Sequence, residues 1–168
     1  MEKIEVYTDG ACSGNPGKGG YAFVILKYQK EILKLSGSQE NTTNNKMELK
    51  AIVRAIEHII DIYGSAATKN KVDVFIYSDS AYCINPIEKG WIKFWEMNEW
   101  ISRSGEPIKN VELWIKLNEL LKSKRYNFKF VKVKGHSGNK YNELVDKAAK
   151  NAILRLNREL LTSKEEER

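Results

Sequence analysis

The chain has 168 residues, 42% hydrophobic and 30% charged, with a mean hydropathy of −0.51, which suits a single domain with one real core. No apolar run approaches the ~20 residues of a membrane helix, the alternating N-terminus MEKIEVYTDG is no signal peptide, and Cys12 and Cys83 are too few for a disulfide framework or a four-ligand zinc site. The net charge, 28 − 22 = +6 with a pI of about 9.2, fits a polyanionic partner without requiring one. Both cysteines read as reduced thiols of a cytoplasmic protein.

In chain order, Ile4 and Val6, then 21–28 and 31–35, form β-rich runs separated by glycine, proline or charged turns. The intervening ACSGNPGKGG, rich in glycine with one proline, is expected to be irregular. From Thr43 the period changes. Leu49, Ile52, Val53, Ile56, Ile59, Ile60 and Tyr63 recur at three and four, which predicts an amphipathic helix with a Thr/Asn cap, stopped by Gly64. Residues 72–77 make a compact β-branched and aromatic strand, the kind buried at a sheet centre. Short helices broken at Pro86, Gly90 and the 105–107 turn follow, then a helix over 111–121, a strand over 128–133 and a helix over 144–156. This order predicts an α/β chain, a mixed sheet covered by helices. Residues 1–160 are expected to form one domain, and 161–168 a charged tail that frays.

Four carboxylates stand out by position. Asp9 and Asp79 each end a predicted strand, where ligand crevices open. Glu48 falls in the first turns of the long helix, near the edge of its apolar stripe, and Asp146 has an analogous place on the last helix. Singly, each has a bland explanation as a turn former, cap or dipole partner. Gathered in one site, four acids would repel one another unless they bound cations. Hard oxygen ligands suit Mg²⁺ or Mn²⁺, and two such ions are the usual apparatus of phosphodiester cleavage. The glycines of 17–22 imitate a dinucleotide fingerprint but precede a strand, and 135–139 lack the second glycine of a nucleophile elbow. Of two histidines, His58 reads as a helix-surface residue. His136 sits in a Gly-His-Ser-Gly loop after a basic, aromatic stretch, Lys122 to His136, where an imidazole could carry protons.

The segments TDGACSGNPGKGGYA, TTNNKMEL, YSDSAY, KNVELW, VKGHSG and YNELVDKAA, in this order and spacing, resemble the successive motifs of type 1 ribonuclease H across residues 1 to about 156. The resemblance implies a five-stranded mixed sheet flanked by helices, and an endonuclease that cuts the RNA strand of RNA/DNA hybrids, leaving 5′-phosphate and 3′-hydroxyl ends. It implies two Mg²⁺ ions per site, with Mn²⁺ a possible substitute, held by Asp9, Glu48, Asp79 and Asp146, and it gives His136 a part in proton transfer and product departure. It further implies that Cys12, Ser13, Gly14 and Asn15 offer groups to the RNA minor groove, read also by Asn44 and Asn45. Thr43 and Asn110 would join a pocket for a DNA phosphate, and Trp95 would lie beside a DNA sugar.

The sequence also departs from the family. Glu96 and Glu99 interrupt a substrate-binding protrusion that is strongly basic in some members, so that handle is expected to bind weakly, and Asn41 stands where some members carry an arginine. No separate hybrid-binding domain is expected ahead of Met1, and the enzyme is expected to be a monomer without an obligate protein partner. Two other readings stay open here: a catalytically silent nucleic-acid-binding module, and another nuclease on the same scaffold. The Asn44–Asn45 pair and the GNPG turn favour the hybrid.

Overall fold

A computed structural model describes residues 2–67, 70–135 and 138–167. Three strands open the chain as an antiparallel meander: β1 (Glu2–Gly14), β2 (Gly17–Lys27) and β3 (Lys30–Thr42). Helix α1 (Asn44–Tyr63) crosses to β4 (Val72–Ser78), which pairs parallel with β1. Then come α2 (Ala81–Glu88), α3 (Trp91–Met97) and α4 (Val111–Leu121), β5 (Tyr126–Lys132) parallel to β4, and α5 (Lys140–Glu166). The sheet order is β3-β2-β1-β4-β5.

Alternation along the strands divides the core in two. Ile4, Val6, Phe23, Ile25, Val74 and Ile76 face the α1 and α4 side, where they meet Ile52, Ile56 and the fully buried Trp114. Tyr7, Val24 and Leu26 face the other side and pack under Val145 and Ala149 of α5. Thr43 caps α1, its Oγ1 accepting from the Lys46 N–H at 3.3 Å, and Gly64 ends the helix with φ 80°. Among the described residues no helix is long and apolar enough to cross a membrane.

The structure corrects several sequence expectations. The glycine-rich segment is not irregular: β1 runs to Gly14 and β2 starts at Gly17, paired residue by residue. Glycine is needed there because other chain segments press on the sheet. A Cβ on Gly20 would collide with the Ala149 carbonyl oxygen and lie 3.1 Å from the Ala152 Cβ of α5. Pro86 sits inside α2 rather than breaking it, forfeiting an N–H that a short helix can spare. Helix α5 begins at Lys140, four residues before the expected start, because the Asn139 side chain accepts from the N–H groups of Tyr141 and Asn142. It also continues to Glu166, through most of the segment expected to fray, over residues of good helix propensity.

The β2–β3 hairpin turns on Tyr28 and Gln29, both left-handed at φ 52° and 63°. A two-residue turn of this hand prefers Asn-Gly. Tyr28 is 74% exposed, so little packing is at stake. Replacing the pair by Asn-Gly is expected to raise stability by about 1–2 kcal/mol and the melting temperature by about 2–8 °C. An unchanged or lower melting temperature by calorimetry would show that the turn carries no strain.

Candidate active site

Parallel pairing of β1 with β4 in the register Tyr7↔Tyr77 brings the C-terminal ends of two central strands side by side. Asp9 and Asp79 each lie two residues further on. The first turns of α1 cross the same end and place Glu48 opposite them. One carboxylate oxygen from each of Asp9, Glu48 and Asp79 lies within 4.8 Å of the others. Asp9 and Glu48 are only 4% and 5% exposed. The Gly10 N–H donates to Asp9 Oδ1 at 2.9 Å, and the Gly10 backbone abuts that of Met47 and Glu48.

Such a cluster resists full ionisation. Burial, aided by the nearby Asp79 charge, pushes Asp9 up to about 7, although a hydrogen bond from Glu48 opposes the rise. Burial raises Glu48 well above the usual carboxylate range, reinforced by the charge of Asp9 and by its hydrogen bond to it. Glu48 Oε2 is buried without a hydrogen-bond partner. An orphaned oxygen among three converging hard donors fits a divalent cation such as Mg²⁺ or Mn²⁺. Asp146 stands beside Asp9, close enough for a carboxyl–carboxyl contact that also raises Asp9, but at the rim. Its side chain is 32% exposed and accepts from Lys150 Nζ at 3.0 Å. The structure thus draws three of the four acids into a tight group and sets the fourth alongside.

A dependence of stability on pH follows. Between about pH 4 and pH 7 the folded metal-free protein keeps on Asp9 a proton that the unfolded chain releases, so this contribution is present at low pH and lost as pH rises toward 7. The metal-free protein is expected to melt roughly 5–10 °C lower at pH 8 than at pH 5.5, with Mg²⁺ restoring more at the higher pH. Melting curves insensitive to both pH and Mg²⁺ would remove the cluster as a cation site.

The remaining sequence candidates surround this centre. Asn15 Oδ1 accepts from the Asn44 N–H at 3.0 Å, joining the β1–β2 turn to the start of α1. Asn44 and Asn45 are exposed beside it. Cys12 Sγ donates to the Thr42 carbonyl, Ser13 Oγ donates to the Lys18 carbonyl, and Gly14 is left-handed at φ 99°. Thr43 spends its hydroxyl on capping α1. Asn110 precedes α4 with φ 57°, its Nδ2 donating to the Tyr82 hydroxyl at 2.9 Å. Trp95 is half-buried, edge-on to Trp114 at 5.4 Å. His136 lies outside the described residues. Its neighbour Gly135 is close enough to Asp79 that a Cβ there would sit 3.1 Å from Oδ2.

The protrusion carries one of its two acids away from the neighbouring cleft. Glu96 does not face the cleft of about 660 Å³ formed by Lys89, Trp91, Phe94, Trp95 and Arg103. It turns to α4, accepting from Lys122 Nζ at 2.8 Å and from Asn118, and Lys122 holds it below the usual carboxylate range. Lys89 lies over the Trp91 ring at 5.5 Å and Arg103 over Phe94 at 5.2 Å, so the cleft presents cations on aromatic faces. The sequence reading gave no role to Tyr82, whose hydroxyl also accepts from Trp114 Nε1 at 3.2 Å, nor to Lys150. The Asp146–Lys150 spacing of four on a helix was a legible signal for the latter.

Comparison with known proteins agrees with this geometry. The sequence pattern of the RNase H family matches residues 1–154. The chain is 43% identical over 159 residues to a ribonuclease H of Thermoanaerobacter sp. (strain X514), covering 95% of each chain. It is 45% identical over 152 residues to a ribonuclease H of Prosthecochloris aestuarii, covering 90% of this chain and 96% of the other. Among solved structures, LC9-RNase H1, a type 1 RNase H with the type 2 active-site motif, shares the fold with a TM-score of 0.73 at 24% identity, over 91% of this chain and 72% of that one. LC11-RNase H1 in complex with an RNA/DNA hybrid superposes with a TM-score of 0.63 at 25% identity, over 89% and 99% of the two chains.

Proposed function

We propose that in this chain, which belongs to the ribonuclease H family and hydrolyses the RNA strand of RNA/DNA hybrids, Asp9, Glu48, Asp79 and Asp146 hold two divalent ions, Mg²⁺ with Mn²⁺ as a substitute. The observation that carries this reading is the convergence of Asp9, Glu48 and Asp79 within 4.8 Å, with Glu48 Oε2 left unpartnered. When bound, the ions lower the pKa of the attacking water and stabilise charge on the phosphorane and the leaving 3′-oxygen. The protein's own residues do the rest. Asp9, which meets both Glu48 and Asp146, would hold metal together with them. The Gly10 N–H fixes its Oδ1, so the carboxylate is aimed before substrate arrives. His136, the residue that follows Gly135 in the chain, takes and returns protons in the reaction.

RNA is told from DNA by its 2′-hydroxyl, both donor and acceptor. Asn15, Asn44 and Asn45 stand together through the Asn15–Asn44 bond and read the minor groove, with backbone groups of Cys12, Ser13 and Gly14 beside them. Thr43 and Asn110 receive a DNA-strand phosphate, and Trp95 with the Lys89–Arg103 cleft receives the DNA strand beyond it. Glu96 is tied to Lys122 and so does not neutralise Lys89 or Arg103, although Glu99 still interrupts the handle. Alanine at both Lys89 and Arg103 is expected to raise KM for the hybrid roughly 5- to 10-fold at moderate salt with kcat unchanged, because these groups bind ground and transition states alike. A fall in kcat instead would place the cleft in the chemistry. Residues 1–160 act as one catalytic domain, a cytoplasmic monomer needing no protein partner.

The test is cleavage of a labelled RNA/DNA hybrid beside matched RNA duplex, DNA duplex and single-stranded RNA, with Mg²⁺, Mn²⁺ or chelator and with Asp79→Asn. Metal-dependent cutting of the hybrid's RNA strand alone, lost in the variant, supports the assignment. Cutting that survives in Asp79→Asn would overturn the ligand set, and equal cutting of DNA would overturn the 2′-hydroxyl readout.

A further inference from the structure

Three tyrosines pack together on the elements that carry three of the four acids. Tyr7 of β1 and Tyr77 of β4 are register partners, and their rings stack at 4.6 Å with an interplanar angle of 11°. Tyr141, in the first turn of α5, meets Tyr7 at 5.5 Å and 37°. Each ring is a fixed, short step from an acid: Asp9 is two residues beyond Tyr7, Asp79 two beyond Tyr77, and Asp146 five beyond Tyr141. Side chains two apart on a strand share a face, so Tyr7 lies under Asp9. Tyr7 is 7% exposed, and Tyr77 and Tyr141 pack against the same cluster as Val145, the residue before Asp146 and one helical turn from Tyr141.

The polar contacts of these rings are few. The Tyr77 hydroxyl donates to Glu5 Oε2 at 3.4 Å, pointing away from the carboxylates. What the rings share is area and mutual orientation, which aromatic pairs convert into preferred geometry. Helix α5 has no covalent tie to the sheet near Asp146, so packing at its first turns sets where that acid stands. The Asn139 cap orders the helix start but does not seat it on the strands.

We propose that the Tyr7–Tyr77–Tyr141 stack is a positioning device that seats the first turn of α5 on the ends of β1 and β4, and so sets the distance of Asp146 from the Asp9–Glu48–Asp79 group. This rests on the assignment of Asp146 as a metal ligand. The tyrosines touch neither substrate nor ion. They act through Asp146, where a displacement of about 1 Å is enough to cost up to 100-fold in rate.

The experiment compares Tyr141→Ala, Tyr141→Leu and Tyr141→Phe with wild type and Asp146→Asn. It measures kcat and KM on the hybrid, Mn²⁺ binding by titration calorimetry without substrate, and the melting temperature. Ala and Leu are expected to lower kcat 10- to 100-fold, leave KM within about twofold and weaken Mn²⁺ binding several-fold, and Phe to restore all three. Leu keeps apolar burial at the site, so it remains informative if Ala lowers the yield of folded protein. Ala or Leu variants that melt lower yet keep kcat and Mn²⁺ binding would overturn the proposal, leaving the stack a matter of stability alone. If Asp146→Asn itself changes neither kcat nor Mn²⁺ binding, the ligand assignment fails. If only Asp146→Asn has an effect, the positioning role fails.

Discussion

Asp9→Asn is expected to abolish hybrid cleavage, by at least about 1000-fold in kcat, while raising the melting temperature of the metal-free protein. The two effects share one cause. Asp9 is 4% exposed, and burial pushes its carboxyl up to about 7. At pH 8 the native state therefore carries a buried charge that it would rather protonate, and the amide keeps shape without charge. The gain is expected to be about 3–8 °C at pH 8 and to vanish below about pH 3, where Asp9 is protonated folded and unfolded alike. Mg²⁺ should no longer stabilise the variant to the same degree. An Asp9→Asn protein no more stable than wild type at pH 8 would mean that burial imposes no penalty on this carboxylate.

Gly10→Ala is expected to damage catalysis less than Asp9→Asn but to be far worse for stability. An added Cβ would sit 2.5 Å from the Met47 carbonyl carbon and 2.9 Å from Glu48 Cα, and closer still to the Glu48 nitrogen. All three are backbone atoms at the start of a 20-residue helix, so no side chain can swing aside. Either β1 or α1 must move, and Glu48 moves relative to Asp9. Overpacking of this kind costs about 1–3 kcal/mol or more, hence a melting temperature lower by roughly 4–10 °C. Displacement of a ligand is expected to lower kcat by about 100-fold. Gly64→Ala is the control: φ is 80° but a Cβ there meets nothing within 4 Å. It should cost about 1 kcal/mol through strain and leave kcat untouched. Equal kcat in the Gly10→Ala enzyme would show that the α1–β1 approach does not set the site.

Much of the fold could be read from periodicity. The three-and-four spacing from Leu49 to Tyr63, with Thr43 before it and Gly64 after it, appears in the structure as α1 with those caps. The run 72–77 lies in the interior strand β4, between β1 and β5, and 111–121 is α4 as expected. The site was legible for a related reason. Strand ends and early helix turns are local features, and acids placed on them can be listed before anything is known of their distances. Glu96 shows the limit: along the chain it reads as an acid in the protrusion, yet Lys122 and Asn118, 26 and 22 residues away, turn it to α4.

By itself, then, the sequence determined most element types, the caps of α1, the positions of four candidate acids along them and the family, because each depends on residues within a few positions or on motif order. Tertiary structure alone decided the rest. It carried β1 and β2 through the glycine-rich segment, where Ala149 and the α1 backbone leave no room for a Cβ at Gly20 and Gly10. It drew Asp9, Glu48 and Asp79 into one group while leaving Asp146 at the rim with Lys150, and it packed the rings of Tyr7, Tyr77 and Tyr141 together. The reason is physical. Local pattern records what a backbone segment prefers, whereas close approach and shared burial are properties of pairs far apart in the chain, and only the packed sheet and helices fix those distances.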